Sequence, residues 1–300
     1  MKLIVQPEGG LTPVLRAIKH AKQRVDLAIF RTDRKELEKA LATAVERGVR
    51  VRVLVAHTNH GGENRLRKLE RRLLEVGVTV ARTGDDFLRY HGKYMIADDT
   101  LHVFTFNFTR ADTRKSRGFG VSTRDKGTLK QALDLFEADS TRQSFAPNSG
   151  CLVVSPENAR DSLTAFIKGA KRQLLIYDVN LQDSSFIQLL KARSAAGVDV
   201  RIIGKVKGSD LDVRALATMR LHARAIVRDG SKVFVGSQSL RRPELNLRRE
   251  VGVCISNAGV ARQLRDLFEA DWKASAPKEE LEKEEQPEKT DKEKAASPAA

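Results

Sequence analysis

The chain contains the same series of short blocks twice, in the same order. Two blocks recur 149 residues later, and a third recurs 132 residues later. The pairs are Leu3-Ile-Val-Gln-Pro-Glu8 with Leu152-Val-Val-Ser-Pro-Glu157, Gly48-Val-Arg-Val-Arg-Val53 with Gly197-Val-Asp-Val-Arg-Ile202, and Leu135-Phe-Glu-Ala-Asp139 with Leu267-Phe-Glu-Ala-Asp271. Ordered internal repeats indicate duplicated folding units. We therefore predict a first half over 1–147 and a second half over 148–275, joined at the turn residues around Asn148 and Gly150.

Within each half, segments with helical periodicity alternate with apolar, strand-like segments. The helices are predicted near 11–21, 34–47, 159–171 and 184–196. The strands are predicted at 25–30, 49–55, 94–97, 101–106, 174–178, 198–203, 223–228 and 232–236. This alternation is typical of an α/β fold with a largely buried sheet. The sequence therefore predicts two tandem α/β sandwich halves that pack as a pseudo-twofold pair.

The repeat distance falls from 149 to about 131 residues along the chain, which places about 18 extra residues in the first half. They include a predicted helix from Glu63 to Val76 with an apolar stripe on one side. The other face is basic and contains Arg65, Arg67, Lys68, Arg71 and Arg72. Such a face either lines a substrate groove or is simply solvated, and the sequence leaves both interpretations open.

The charge of the chain is strongly basic and unevenly distributed. Lys and Arg outnumber Asp and Glu by 54 to 39, and the segment 276–300 carries a net charge of −3, which leaves +18 on the rest. A polyanionic or phosphate-bearing partner is the natural expectation, with general solubility as the alternative. The Lys, Glu, Pro and Ala composition of 276–300 predicts a disordered charged tail.

Three features bear on the location of the protein. No apolar run reaches the roughly 18 residues that a membrane-spanning helix needs. The first residues lack the basic region, apolar stretch and cleavage site of a secretory signal. Cys151 and Cys254 are the two cysteines of the chain, and we expect both to be free thiols in a reducing compartment. These features predict a cytoplasmic location.

A histidine stands two residues before a cation in each half, in His91-Gly-Lys93 and in His222-Ala-Arg224. Residues i and i+2 of an extended strand share a face, so each half is expected to present an imidazole beside a fixed positive charge. A single histidine on a strand is more often structural, but two at matched positions favour one shared site. Asp98 and Asp229 end the strands that follow, where Asp commonly makes a turn, and we predict a structural role for both.

The extended strings are His91-x-Lys93-x4-Asp98-x5-Phe104-Thr105-x-Asn107 and His222-x-Arg224-x4-Asp229-x6-Gly236-Ser237-x-Ser239. Both resemble the His-x-Lys-x4-Asp-x6-Gly-Ser-x-Asn pattern of the phospholipase D superfamily, and the resemblance covers residues 1–273. It implies two phospholipase D-like halves with one active site at their interface, and a monomer that contains its own pseudo-dimer. That family includes phospholipases, phospholipid synthases, nucleases and non-catalytic relatives.

The resemblance also implies a mechanism. One imidazole attacks phosphorus to give a phosphohistidine, and the other protonates the leaving oxygen and then activates water or an alcohol. Lys93 and Arg224 neutralise the non-bridging oxygens, and neither a metal nor a cofactor is required. Glu250 occupies the family's position for a carboxylate that orients His222 and favours its imidazolium, which would leave His91 to attack; the sequence leaves the choice of nucleophile open. The predicted phosphate-binding side chains are Thr105, Asn107, Ser237 and Ser239.

Four positions depart from the family pattern. Gly118 stands where the first half should carry its acid, so we expect His91 to lack an orienting carboxylate. The other departures are Arg224 for Lys, Ser239 for Asn and Phe104 for Gly. The leading hypothesis is a phosphoric diester hydrolase or phosphatidyltransferase of lipid metabolism and degradation, which contacts anionic membrane surfaces peripherally. The alternatives are an endonuclease that uses the same histidines on nucleic acid, and a non-catalytic protein that binds phosphate esters or nucleic acid.

Overall fold

Each half of the chain builds one mixed β-sheet with helices on both of its faces. The structure is a computed structural model that describes residues 1–58, 62–148, 150–208 and 210–277. The elements of the first half are β1 (Lys2–Gln6), α1 (Thr12–His20), β2 (Arg24–Ile29), α2 (Lys35–Glu46), β3 (Arg50–Val55), α3 (Glu63–Glu75), β4 (Thr79–Arg82), β5 (Arg89–Tyr90), β6 (Tyr94–Ala97), β7 (Thr100–Phe104), α4 (Arg110–Lys115), β8 (Ser116–Thr123) and α5 (Lys126–Thr141). Those of the second half are β9 (Leu152–Ser155), α6 (Ala159–Lys168), β10 (Gln173–Leu181), α7 (Ser184–Ala195), β11 (Asp199–Val206), β12 (Asp212–Ala215), β13 (Arg220–Leu221), β14 (Arg224–Arg228), β15 (Lys232–Gly236), α8 (Arg242–Asn246), β16 (Arg248–Ser256), α9 (Ala258–Lys273) and β17 (Ala276–Pro277).

The strand order is the same in the two sheets. The first sheet runs β1-β8-β7-β6-β2-β3-β4, and the second contains the path β9-β16-β15-β14-β10-β11-β12. Corresponding strands therefore occupy corresponding places, as a duplicated unit requires. The prediction of two tandem α/β sandwich halves in a pseudo-twofold pair is confirmed. Among the described residues, α3 has no counterpart in the second half.

The hydrophobic core lies in layers on both sides of the two sheets. A central cluster between the sheets is shared by the halves and includes Phe136 of α5 with Phe268 and Trp272 of α9. Outer clusters pack α1, α2 and α3 against the first sheet and α6 and α7 against the second. The central strands are apolar on both faces because both faces are covered. The halves thus share one core and form a single folded body.

Two short strands cross between the halves just before the histidines. β5, from the first half, pairs with β16 of the second sheet, and β13, from the second half, pairs with β8 of the first sheet. The exchange is reciprocal, because β5 and β13 are corresponding segments of the repeat. Each histidine of the doubled motif is therefore delivered to the sheet of the other half.

Buried ion pairs also join the halves, and the repeated blocks supply their acids. Arg117 of β8 donates two 2.9 Å hydrogen bonds to the carboxylate of Asp271 in α9, and one of 3.0 Å to Glu8. In the corresponding set, Arg249 of the second half pairs with Asp139 of the first half and with Glu157 of its own half. Asp139 and Asp271 end the third repeated block, and Glu8 and Glu157 end the first. Those blocks recur because the same cross-link is made twice.

Asp98 and Asp229 stabilise the turns that follow β6 and β14. Each has a φ of 51°, in the left-handed region. The Asp98 carboxylate accepts hydrogen bonds from the backbone amides of residues 22–24, between 2.8 and 3.1 Å long. The Asp229 carboxylate accepts from the amides of residues 171–173. In the structure, both motif aspartates therefore tie a turn to the start of a neighbouring strand.

The remaining sequence predictions concern the tail, the thiols and the membrane. β17 pairs with β12, so the predicted disordered tail does not begin at residue 276; residues 278–300 lie outside the described part of the chain. Cys151 and Cys254 are free thiols. No helix within the described residues combines the length and apolar character needed to cross a bilayer.

Candidate active site

His91 is held by the second half of the chain. Its backbone amide donates to the carbonyl oxygen of Arg249 over 2.7 Å. Its ring Nδ1 lies 2.9 and 3.0 Å from the two carboxylate oxygens of Glu250, which is fully buried. The expectations that Glu250 orients His222 and that His91 lacks a carboxylate are both wrong. Their error has one cause, which is that β5 carries the first-half histidine onto the second-half acid.

His222 is held by the first half in the corresponding way. Its backbone amide donates to the carbonyl oxygen of Arg117 over 2.9 Å, and its own carbonyl oxygen accepts a 3.0 Å hydrogen bond from the Thr105 hydroxyl. Its ring Nδ1 lies 3.1 Å from Oδ2 of Asp112. That oxygen also accepts 2.8 Å hydrogen bonds from the backbone and side-chain amides of Asn107. The position of His222 thus depends on the first half at both its backbone and its ring.

Asp112 is the functional residue that the sequence interpretation missed. It lies in α4, where its amide donates to the Thr109 hydroxyl that caps the helix, and it also pairs with Arg220. Gly118 aligns with Glu250, so the first half supplies its carboxylate six residues earlier, from the helix and not from the strand. The available signal was the 132-residue repeat distance, which aligns Asp112 with the acidic Glu244 of α8.

The two motif cations lie in the same buried region as the histidines. The Lys93 ammonium donates a 2.7 Å hydrogen bond to the carbonyl oxygen of His91. Arg224 donates through Nε to the Ser239 hydroxyl over 3.2 Å, and its buried Nη1 has no hydrogen-bond partner among the described residues. The charges of Lys93, Arg224 and His222 all act on His91. Both His and cation pairs therefore contribute to one composite site.

The predicted phosphate-binding hydroxyls of Thr105 and Ser237 are both engaged with backbone. The Thr105 hydroxyl donates to His222, as above, and accepts a 2.9 Å hydrogen bond from the amide of Phe119. The Ser237 hydroxyl donates to the carbonyl oxygen of Val251 over 3.3 Å and accepts from its amide over 3.0 Å. In this arrangement each hydroxyl lies within hydrogen-bond distance of a backbone carbonyl oxygen, and phosphate binding by Thr105 and Ser237 stays a prediction. Thr105 thereby anchors the loop after β7 to β8, and Ser237 anchors the loop after β15 to β16.

Asn107 and Ser239, the other two predicted phosphate ligands, contact charged residues of the site. Asn107 donates to Asp112, and its Oδ1 is buried with no partner among the described residues. Ser239 accepts from Arg224. Asp178, at the end of β10, lies behind this pair and accepts a 2.7 Å hydrogen bond from the amide of Leu240. In the structure these two side chains orient the groups that would meet a substrate.

Burial lowers the pKa of both histidines. The pKa of His91 lies well below its usual value because of burial, and the charges of Lys93 and Arg224 lower it further. Burial also lowers the pKa of His222 to about 4, although the neighbouring Asp112 opposes the shift. Both rings are consequently neutral at pH 7 in the free protein. Each then has one protonated and one unprotonated nitrogen.

The remaining charged groups of the site shift in ways that follow from burial and from their partners. Burial lowers the pKa of Lys93 to about 7, with Glu250 opposing the shift. Burial raises the pKa of Glu250. For Asp112, burial acts to raise the pKa, but hydrogen bonds from His222 and Asn107 outweigh it and hold the pKa below its usual value. Lys93 is therefore the group of the site whose charge is most sensitive to pH near 7.

This arrangement can do acid–base and nucleophilic chemistry on a phosphate. A carboxylate lies at Nδ1 of each imidazole, which fixes the ring and directs Nε2 outward. Among the described residues, the polar contacts of both rings are made through Nδ1. The charges of Lys93 and Arg224 act on both imidazoles, so these two cations are near enough to stabilise charge on phosphate oxygens. Over the described ranges, no three or more His, Cys, Asp and Glu side chains are grouped in a way that could bind a metal ion.

The same two halves match a known sequence family. Residues 14–140 and 163–272 match the family described as the cardiolipin synthase, PLD-like domain. The matched segments contain both His motifs and both orienting carboxylates. The chain therefore belongs to the phospholipase D superfamily.

Individual relatives share the fold at low sequence identity. A polyphosphate kinase from Vibrio vulnificus is 24% identical over an alignment of 279 positions, which covers 83% of this chain and 39% of the kinase. The chain thus spans well under half of that relative. Among solved structures, a polyphosphate kinase from Porphyromonas gingivalis superimposes with a TM-score of 0.75 at 20% identity, over 91% of this chain and 47% of that one. A phosphatidylserine synthase from Haemophilus influenzae superimposes with a TM-score of 0.68 at 12% identity, over 91% and 85%.

Proposed function

We propose that the protein cleaves or transfers a phosphodiester group of a phospholipid through a covalent phosphohistidine at His91. The observation that carries this proposal is the reciprocal orientation of the two imidazoles, His91 by Glu250 and His222 by Asp112. A ring that is held at Nδ1 is prepared to react at Nε2. Two such rings beside two cations supply a nucleophile, an acid and a neutralising charge in one site.

The environments of the two rings favour different roles. His91 lies among Lys93 and Arg224, which keep it neutral and its Nε2 lone pair available for attack. His222 contacts Asp112, whose ionised carboxylate opposes the effect of burial on the pKa of the ring, and the negative charge of a bound phosphate would add to this effect and favour a protonated ring. We therefore assign attack to His91 and proton transfer to His222. The sequence also favours this assignment, but through a different carboxylate.

The proposed reaction has two balanced steps. When the anionic substrate binds, its charge and that of Asp112 favour uptake of a proton from solvent at Nε2 of His222. In the first step, Nε2 of His91 forms a bond to phosphorus as the bond to the leaving oxygen breaks, and that oxygen takes the proton from Nε2 of the His222 imidazolium. In the second, His222 removes a proton from water or an alcohol, whose oxygen bonds to phosphorus as the bond to His91 breaks. Lys93 and Arg224 neutralise the non-bridging oxygens in both steps.

The family description favours a phospholipid as the substrate, and the basic charge of the chain keeps nucleic acid as the alternative. A non-catalytic role loses part of its support, because Asp112 supplies the carboxylate that Gly118 lacks. The substrate test compares release of the headgroup from short-chain phosphatidylglycerol with cleavage of labelled DNA, with and without a chelator. We expect the lipid to be turned over at the same rate with and without the chelator. Cleavage of DNA but not of lipid would contradict the proposal and indicate a nuclease.

The nucleophile is tested by rapid quenching with an activated p-nitrophenyl phosphodiester. Because this leaving group needs no acid, His222→Ala should accumulate an acid-labile, base-stable phosphohistidine at His91, while His91→Ala should form none. His20→Ala is the matched control, since that ring is exposed and bonds only to the carbonyl oxygen of Arg16. Phosphate on His222 in the His91→Ala variant would reverse the roles, and failure of every protein to form the intermediate would refute the proposal.

A further inference from the structure

A basic cavity lies beside the candidate active site, at the carboxyl ends of β2 and β3. Its volume is about 340 Å³, and α3 forms one of its walls. Ligands in open α/β sheets bind beyond the carboxyl ends of strands. Phe30, which lines the cavity, has its ring centroid 4.9 Å from that of His91 and 5.8 Å from the Lys93 ammonium. The cavity is therefore separated from the reacting groups by one aromatic side chain.

The cations around this cavity are mostly unpaired, whereas those on the outer face of the same helix are paired. Arg65 and Lys68 of α3 line the cavity, as does Arg31 after β2, and none of the three makes an ion pair within the described part of the chain. The fourth cation of the lining, Arg72, pairs with Glu38, and Asp33 is the acid of the lining.

The outer cations of α3 show the contrast. Arg67 pairs with Glu63 at 2.7 Å, and Arg71 pairs with Glu75 at 3.4 Å. If the basic face of this helix served only solubility, we would expect ion pairs to acidic residues to be equally common on its two sides. The cations without an ion pair are instead on the side of the helix that lines the cavity.

A further arginine without an ion pair among the described residues lies against the ring of Phe30. The Arg89 guanidinium is 5.7 Å from the centre of the Phe30 ring and has no acidic partner among the described residues. Burial and the nearby charge of Arg248 lower the pKa of Arg89. Its counterpart in the repeat, Arg220, is paired with Asp112. Unpaired positive charge among the described residues thus lies against Phe30 as well as along the wall of the cavity.

We infer that this cavity binds a second phosphate group of the substrate while the scissile phosphate lies between His91 and His222. The inference rests on the proposed function and specifies that its substrate carries a second phosphate near the scissile one. It also explains why α3 occurs in the first half and has no described equivalent in the second. The two related histidines act on one phosphate. The added helix α3 fixes the orientation of the substrate by binding its neighbouring phosphate.

Calorimetric binding at fixed ionic strength tests this inference without turnover. The probes are orthophosphate, tripolyphosphate and glycerol 1,3-bisphosphate, which separate a condensed phosphate from two phosphates on a glycerol backbone. We expect the protein to bind at least one of the two larger probes about tenfold or more tightly than orthophosphate, as one added charge-assisted contact provides. The Arg65→Gln/Lys68→Gln variant should lose that preference. The Arg67→Gln/Arg71→Gln variant is the matched control on the same helix and should keep it.

Equal affinity for all three probes, or the same loss in both double variants, would overturn the inference. Binding and catalysis can fail separately. Preserved preference in a protein that forms no phosphohistidine would reject the proposed function and keep the subsite. Turnover of a phospholipid that carries two phosphates, with the same KM in the Arg65→Gln/Lys68→Gln variant, would keep the proposed function and reject the subsite. A preference for tripolyphosphate alone would identify condensed phosphate as the source of the second group.

Discussion

At the scale of single residues, the site shows that one chemical requirement can be met from two different positions. Glu250 lies in a strand and Asp112 in a short helix, yet both place a carboxylate at Nδ1 of an imidazole. What the chemistry requires is an acceptor at that nitrogen, and the backbone position that supplies it is free to change. The carboxylate that is absent at Gly118 is therefore supplied by Asp112.

Replacing Asp112 by Asn should slow the reaction without preventing binding. The amide is isosteric, but it removes the charge that favours the His222 imidazolium and can fix the wrong tautomer. We expect kcat to fall by roughly 10²- to 10⁴-fold with little change in KM. Steady-state kinetics on the p-nitrophenyl substrate and on the natural ester would check this, because the loss should be much smaller for the better leaving group. Asp229→Asn, which removes a turn contact, should leave the ratio of the two rates unchanged.

Lys93 should control the alkaline side of the pH profile. Its pKa of about 7 in the free protein means that the ammonium loses its proton as the pH rises above that value. Because kcat/KM reports ionisation of the free enzyme, kcat/KM should fall above about pH 7. In Lys93→Arg the cation persists to high pH, so this decrease should disappear, and the presence of Arg224 at the matching position indicates that the site accepts a guanidinium. An unchanged decrease near pH 7 in the variant would assign it to another group.

How much of this site the sequence predicts depends on the kind of signal involved. The repeat spacing identifies His91, His222, Lys93 and Arg224, because a motif is a local pattern. It does not identify which acid faces which histidine, since Glu250 and His91 are 159 residues apart and meet only through a strand exchange. The hydroxyls of Thr105 and Ser237 illustrate the same limit. Their type fits phosphate binding, but their hydrogen bonds to backbone are fixed by the fold.

At the scale of secondary-structure elements, the two-residue strands β5 and β13 determine the assembly of the site. Periodicity cannot reveal a strand of two residues, whereas it predicts longer elements such as α2 and β15 closely. β8 and β16 were also not predicted, because Gly and charged residues interrupt their apolar pattern. The interruption has a cause, since the buried arginine of each strand makes the ion pairs that join the halves.

Removing one of those arginines should destabilise the whole molecule. Arg249→Met leaves the buried Asp139 and its neighbour Glu157 without their cation, and breaking a buried pair in this way costs about 3–5 kcal/mol. Because Asp139 already has a pKa raised to about 6 by burial, it can become protonated, so we expect the lower end of that range. Chemical unfolding would measure the loss. Arg67→Met, which removes an exposed pair, should change stability by about 0.5 kcal/mol or less.

At the scale of the whole molecule, neither half contains a complete site. Each histidine receives its orienting carboxylate and a backbone hydrogen bond from the other half, and the two halves share the central hydrophobic cluster. The identical strand order of the two sheets follows from duplication, but the exchange of β5 and β13 makes the copies interdependent. The two halves differ in two respects, since the first half alone has α3 among the described residues and supplies its acid from Asp112 in a helix. Both differences therefore affect one shared site.

This interdependence predicts the result of mixing two inactive variants. If each chain builds its site internally, equimolar native His91→Ala and His222→Ala proteins should show no more activity than the sum of the two measured separately, because the shared core and buried ion pairs keep the halves of one chain together. Light scattering on the same samples should give the mass of a monomer. Recovery of activity on mixing would mean that halves pair between chains, since a swapped pair would unite one intact His91 with one intact His222.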